Sequence, residues 1–428
     1  MKDYETRKER IGVIGLGYVG LPLACMFSKE FEVRGYDISS TRVARIRDGN
    51  DSTRELTPDE LGEAFHRGFE CSDAPEILEG CSFYVVAVPT PVDTAHNPDL
   101  TCLMEASRKV GALIRKGDAV VFESTVYPGT TEDICIPEIE RVSGLRAGRD
   151  FDAGYSPERV NPGDREHTVE NICKIVSGNT PQAAERIRAV YAAVLKGGVY
   201  EAPSIKVAEA AKIIENTQRD VNIAFINEVA KVFNALDIDT EEVLRAASTK
   251  WNFLNFRPGL VGGHCISVDP YYLIRHAELH GLRPRLMTEA RNINEAMGFY
   301  LAERVLTIIN RRGLKIADTR VLLLGFSFKE NCPDVRNTKV SDTAAMLMKL
   351  GAEVTVFDPV VDEESARREY PEIPLVTDPR ELPERGRFDV VVKCVDHEAF
   401  RRLDLAPLLN EGCETCSIVK RKEERREK

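Results

Sequence analysis

Over its first third the chain alternates short apolar runs with stretches of helical spacing. Ile11–Ile14, Val33–Tyr36, Phe83–Val88 and Ala119–Phe122 read as strands. The stretches between them carry helix-start signals such as Thr57-Pro58-Asp59-Glu60, with proline at the first helical position. Strands alternating with helices predict a parallel, doubly wound sheet. Near Pro203 the pattern changes. Val207 to Leu236 keeps apolar residues near i, i+3 and i+4 with no internal glycine or proline. It predicts one long helix of about 45 Å at 1.5 Å per residue. Thr240–Ala247 and Thr288–Asn310 read as further helices, separated by a Gly/Pro-rich loop, Trp251 to Pro270. After Gly313 the alternation returns, with strands at Val321–Leu324, Glu353–Phe357 and Asp389–Val392 and a helix at Asp342–Leu350. The fold class is therefore α/β: two Rossmann-like, doubly wound parallel-sheet domains joined by a central helical domain with one long helix. The expected divisions are 1–200, 201–312 and 313–428. The two ends share a faint pattern of strand, Gly15 or Gly325, helix, strand, then Asp37 or Asp358. The tail Lys420–Lys428 has no apolar residue and reads as disordered.

Composition adds exclusions. The 428 residues are 43% hydrophobic and 30% charged, as in a globular protein with a full core. Lys+Arg 58 against Asp+Glu 69 gives a net charge of −11, which argues against nucleic acid or an anionic membrane as a partner. No apolar run reaches the roughly 18 residues of a membrane span. The charged start, Met1 to Arg10, does not read as a secretory signal. Eleven cysteines without paired spacing read as reduced thiols of a cytoplasmic protein. No zinc-type cluster is present, and Cys413-x-x-Cys416 lacks a second pair, so no metal is expected.

Chemistry enters at the first strand. Gly15-Leu16-Gly17-Tyr18-Val19-Gly20 follows it directly and opens a helix. Glycines there permit a tight turn and close approach of backbone N–H groups to a pyrophosphate. Asp37 closes the second strand, where a carboxylate accepts from ribose hydroxyls and repels a 2′-phosphate. NAD is thus favoured over NADP, with Arg42 the one nearby complication. Lys212 and Asn216 share a face of the long helix. Such a pair is usually a solvated face, but a lysine beside an amide can hold a developing alkoxide. Gly262-Gly263-His264-Cys265, with Asp269 beyond it, puts a thiol in a loop whose backbone can approach a ligand. A lone cysteine is more often inert and buried. Glu123-Ser124-Thr125-Val126 and Tyr155-Ser156-Pro157-Glu158-Arg159 both follow strand-like segments, where α/β sites lie.

Taken together, these residues resemble the UDP-glucose/GDP-mannose dehydrogenase family over about residues 10–415. The motifs that carry the resemblance include Val88-Pro89-Thr90-Pro91, Ser156-Pro157-Glu158-Arg159, Glu209-Ala210-Ala211-Lys212 with Asn216, and Gly325-Phe326-Ser327-Phe328-Lys329. The stretch from Phe256-Arg257 through Tyr271-Tyr272 looks most like members acting on UDP-N-acetylhexosamines, UDP-GlcNAc or UDP-GalNAc. UDP-ManNAc and UDP-glucose enzymes rank after them.

The resemblance implies four-electron oxidation of a sugar C6 hydroxymethyl group by NAD, for surface polysaccharide biosynthesis. It implies Cys265 as nucleophile, Lys212 and Asn216 as oxyanion donors, and Glu158, Thr125 and Asp269 as handlers of water and protons. NAD would meet Gly15, Gly17, Tyr18, Val19, Gly20, Asp37, Arg42, Thr90, Thr125 and Arg336. The substrate would meet Glu158, Arg159, Lys212, Asn216, Arg257, Gly262, Phe328 and Lys329. A homodimer through the central helix is also implied. One departure stands out: where the family ends in an Asp-x-Arg-type segment, this chain reads Ser417-Ile418-Val419-Lys420-Arg421, without the aspartate. The rival reading from the residues is a two-electron β-hydroxyacid-type dehydrogenase, which needs neither Cys265 nor a third domain.

Overall fold

The computed structural model describes residues 9–53, 55–93, 95–160 and 168–419. The Lys420–Lys428 tail, Arg421 included, lies outside them. The chain forms two compact units: 1–215 with 271–280, and 216–270 with 281–428.

In the first unit the strands are β1 (Arg10–Ile14), β2 (Glu32–Tyr36), β3 (Glu70–Ser72), β4 (Phe83–Val86), β5 (Ala119–Phe122), β6 (Asp152–Tyr155), β7 (Lys174–Gly178) and β8 (Val199–Glu201). Among the described residues they form one sheet in the order β3-β2-β1-β4-β5-β6-β7-β8. Every neighbouring pair is parallel except β6 and β7, which run antiparallel with Tyr155 opposite Ser177. Alternate residues bury on opposite faces: Ile11, Val13, Phe83, Val85 and Val121 pack on one, Ile14, Tyr84, Val86, Val120 and Phe122 on the other. Burial on both faces explains why these strands are continuously apolar in sequence. The Thr57 start is a full capping box with Glu60, ahead of the helix Pro58–His66.

The second unit holds β9 (Arg320–Leu324), β10 (Glu353–Phe357), β11 (Leu375–Val376), β12 (Phe388–Lys393) and β13 (Leu409–Cys416), parallel in the order β11-β10-β9-β12-β13. Both sheets therefore reverse direction of growth at their first strand. In open α/β sheets, ligands bind at the carboxyl ends of the strands beside such a switch point. The long helix spans Ile205–Leu236 and is followed by Thr240–Ala247.

Two local differences from the sequence reading have identifiable causes. The stretch read as one helix over Thr288–Asn310 is two, Arg285–Glu295 and Met297–Arg311, with a turn at Ala296. Just past that turn a Cβ on Gly298 would sit 2.6 Å from the Lys339 carbonyl oxygen, so the second helix packs hard against the start of Val340–Lys349. A helix at Asp269–Leu279 was hidden behind the glycine-rich loop, although Asp269-Pro270 is itself a helix-start signal.

Candidate active site

The turn after β1 is built for a bound diphosphate. Gly15 has φ +91°, and a Cβ there would lie 2.6 Å from the Ala87 carbonyl oxygen. Gly20 packs on the Gly15 carbonyl so closely that a Cβ would be 1.7 Å away, whereas beside Gly17 no described atom lies within 4 Å. Close packing at Gly15 and Gly20 with open space at Gly17 is the division of labour that a dinucleotide turn requires. The helix it opens, Gly20–Phe27, has no side-chain cap at Val19, which leaves its N-terminus without a competing side chain. Asp37, half-buried after β2, accepts from the Leu16 N–H at 2.9 Å and the Ser39 N–H at 2.9 Å. Arg42 is not poised for a 2′-phosphate: it binds the Leu16 carbonyl, Ser52 and the buried Asp51. These residues fit NAD.

Further along the same carboxyl edge, Thr90 donates to the Thr125 carbonyl at 2.7 Å. Glu123 follows β5 and is fully buried, and burial raises its carboxyl to about 7 despite Lys174 beside it. Glu158 follows β6; its Oε1 accepts the N–H groups of Arg159 and Val160, each at 2.6 Å. Arg159 is engaged by Glu215 and by the Cys173 carbonyl. Lys212 is nearly buried on the long helix.

In the second unit the Gly-Gly-His-Cys loop is fixed from several sides. Arg336 O accepts the Gly263 N–H at 3.0 Å, and Asn337 Nδ2 donates to Gly263 O at 3.0 Å. A Cβ on Gly263 would be 2.9 Å from the Phe328 ring, so the paired glycines let that ring seat against the loop. The Cys265 carbonyl accepts the Asp269 N–H at 2.8 Å, and Asn216 Nδ2 donates to Asp269 Oδ2. Cys265, Asn216, Asp269, Phe328 and Arg336 thus belong to one linked constellation, in which Arg336 pairs with Asp334. Lys329 is half-buried next to Phe328, and Arg257 is exposed.

Burial sorts the thiols. Cys25, Cys81 and Cys135 are buried and pushed up to about 12, while Cys265 is exposed. Cys102 and Cys173 are exposed too, so it is the setting of Cys265 that distinguishes it. Among the described residues no group of three or more potential metal ligands comes together.

The second sheet repeats the first turn and then closes it. Gly325 has φ +89° and Asp358 follows β10 as Asp37 follows β2. Asp358, however, is fully buried and accepts from the N–H groups of Phe326, Ser327 and Val360 and from His397 Nε2 at 2.9 Å. His397 Nδ1 accepts the Asn331 N–H at 2.8 Å, which leaves Nε2 as the protonated nitrogen. The sequence reading passed over His397 and Lys174, because a single cation or imidazole beside an apolar run gives no periodic signal.

A dinucleotide turn at the switch point of a doubly wound sheet points to a nucleotide-dependent dehydrogenase. Comparison with known proteins places it: residues 9–195 match the NAD binding domain, 206–296 the central domain and 322–419 the UDP binding domain of one family. The chain belongs to the UDP-glucose/GDP-mannose dehydrogenase family and is an NAD-dependent oxidoreductase. It is 50% identical over 394 residues to UDP-N-acetyl-D-glucosamine 6-dehydrogenase of Salmonella typhi, covering 92% of this chain and 91% of that one. The protein of the same name from Pseudomonas aeruginosa is 49% identical, with 92% of each chain covered. The solved UDP-D-ManNAc dehydrogenase of Pyrococcus horikoshii superposes with TM-score 0.86 at 30% identity, covering 97% of each chain.

Proposed function

We propose that this enzyme oxidises the C6 hydroxymethyl of UDP-N-acetyl-D-glucosamine to the carboxylate, in two steps that pass through a sulfur-bound intermediate. The observation that carries the covalent scheme is the exposed Cys265 in a loop fixed by Gly263, Asn337 and Asp269. The sugar follows from relatives: two enzymes named for UDP-N-acetyl-D-glucosamine are 50% and 49% identical, against 34% for a UDP-N-acetyl-D-mannosamine dehydrogenase. A UDP binding domain at 322–419 also favours this reading over a β-hydroxyacid-type dehydrogenase.

NAD would be held by Gly15, Gly17, Gly20 and Asp37, and when bound it would supply the hydride acceptor for each oxidation. Lys212, or a water held by Asp269, takes the hydroxyl proton in the first step. The Cys265 thiolate adds to the aldehyde carbon to form a thiohemiacetal, whose oxidation gives a thioester. Lys212 and Asn216 donate to the tetrahedral oxyanions. Glu158 takes a proton from the water that cleaves the thioester, and Thr125 orients that water.

The three-domain division at 1–200, 201–312 and 313–428 is part of this reading, supported by the three matched segments. So is a homodimer. Val207, Ile214, Phe225, Val232 and Leu236 are all exposed on the long helix. Their spacings of 7, 11, 7 and 4 keep them within about 40° of one helical face. No helix among the described residues is long and apolar enough to cross a membrane; we assign the enzyme to the cytoplasm and its product to surface polysaccharide biosynthesis.

The test is a panel of UDP-sugars with NAD, counting NADH formed per sugar. Two NADH per UDP-N-acetylglucosamine, with slower turnover of the mannosamine and glucose analogues, is the expected result. One NADH per sugar, or no turnover of the N-acetylglucosamine nucleotide, overturns the assignment.

A further inference from the structure

The mechanism above leaves a fully buried ion pair unused. Lys174 and Glu123 side chains are both 0% exposed, with Lys174 Nζ 2.6 Å from Glu123 Oε2. Lys174 Nζ also donates to the Pro157 carbonyl at 2.9 Å, and the Tyr191 hydroxyl donates to Glu123 Oε1. A pair so deeply buried is poorly explained by stability, since an apolar pair of similar volume is often as stable.

Topology explains how the pair comes to stand where it does. Lys174 is the first residue of β7. In a parallel strand that position would lie at the amino edge of the sheet, away from the site. β7 runs antiparallel to β6, so its first residue lies instead beside the carboxyl end of β6, where Ser156-Pro157-Glu158 begins. Lys174 Nζ is 3.9 Å from Glu158 Oε2. That oxygen is buried and accepts no hydrogen bond among the described residues, whereas Oε1 is anchored by two backbone N–H groups. An ammonium group carries three protons; Glu123 and Pro157 take two, and Glu158 Oε2 is the next oxygen in reach.

We propose that Lys174 is the positioning residue for Glu158: it fixes the turn through Pro157 and orients the carboxylate that takes the proton in thioester hydrolysis. The inference rests on the role proposed for Glu158. In that step water oxygen bonds to the acyl carbon, the C–S bond breaks, the Cys265 thiolate leaves, and the water proton passes to Glu158. No electron is transferred, so loss of Lys174 should spare both oxidations and slow only the hydrolysis.

The experiment compares wild type, Glu158→Gln and Lys174→Met with UDP-N-acetylglucosamine and NAD, by stopped-flow NADH and intact mass. Lys174→Met should keep a two-NADH burst near the wild-type rate. Its steady turnover should fall by about 10²-fold or more, the usual share of a general base, with an acyl adduct on Cys265. A burst that slows in step with turnover, with no adduct, means a merely structural role and overturns the proposal. If Glu158→Gln itself builds no adduct, the Glu158 assignment fails instead. Should Lys174→Met not fold, Lys174→Met/Glu123→Gln removes both buried charges together and is read in the same way.

Discussion

At the scale of single residues, reactivity is decided by surroundings. Burial lifts the thiols of Cys25, Cys81 and Cys135 to about 12, so at neutral pH almost none is ionised. Cys265 is exposed and sits in the loop tied to Asp269. Cys265→Ser should abolish net acid formation, by about 10³-fold or more, while NAD binding by calorimetry stays within about twofold. Full acid production by this variant would remove the covalent step. Asp37 is the second residue on which much depends. Its carboxylate is held by the Leu16 and Ser39 N–H groups, with Arg42 turned to Asp51. Asp37→Asn should weaken NAD by about 10- to 100-fold, the worth of a charged hydrogen bond of about 1.5–3 kcal/mol. An unchanged dissociation constant would place the ribose elsewhere. Cys265 and Asp37 were legible in the sequence because glycine spacing framed both. Lys174 was not: its partners Glu123 and Glu158 are 51 and 16 positions away in sequence, and only the sheet brings them together.

Elements show the same division between what local patterning reveals and what it hides. The long helix, Ile205–Leu236, was expected at Val207–Leu236 because nothing in the stretch breaks it. The short strands Glu70–Ser72, Leu375–Val376 and Val199–Glu201 carry too few residues to show a period, and the direction of Lys174–Gly178 is set by its neighbour rather than its own sequence. The exposed stripe on the long helix leads to an expectation at this scale. Phe225→Glu places a charge in the middle of that stripe and should weaken self-association by at least about 100-fold, seen by sedimentation as a shift to monomer. A variant that sediments like the wild type would overturn the proposed dimer through this stripe.

Across the whole molecule, one buried carboxyl shapes stability. Glu209 is raised to about 7, chiefly by burial. It holds its proton to higher pH in the fold than in the unfolded chain. Its contribution is therefore complete below about 4.5 and declines as pH rises to about 7. Urea midpoints should fall over that interval, and Glu209→Gln should flatten the slope; an unchanged slope would assign the dependence to other groups. The alternation of strand and helix made both doubly wound sheets legible, along with the paired Gly15–Asp37 and Gly325–Asp358 pattern. It did not reveal that the second of these acids is covered, because the imidazole that covers it arrives from 39 positions downstream.

That cover has a consequence for how the enzyme must be timed. With His397 lodged against Asp358, that carboxylate is closed to a ribose, and the two oxidations proposed here draw on the single seat at Gly15–Gly20 and Asp37. Spent NADH has to vacate it and a fresh molecule settle in while the half-oxidised sugar waits. The sulfur of Cys265 would then serve as a mooring, keeping a reactive aldehyde from drifting off during the changeover.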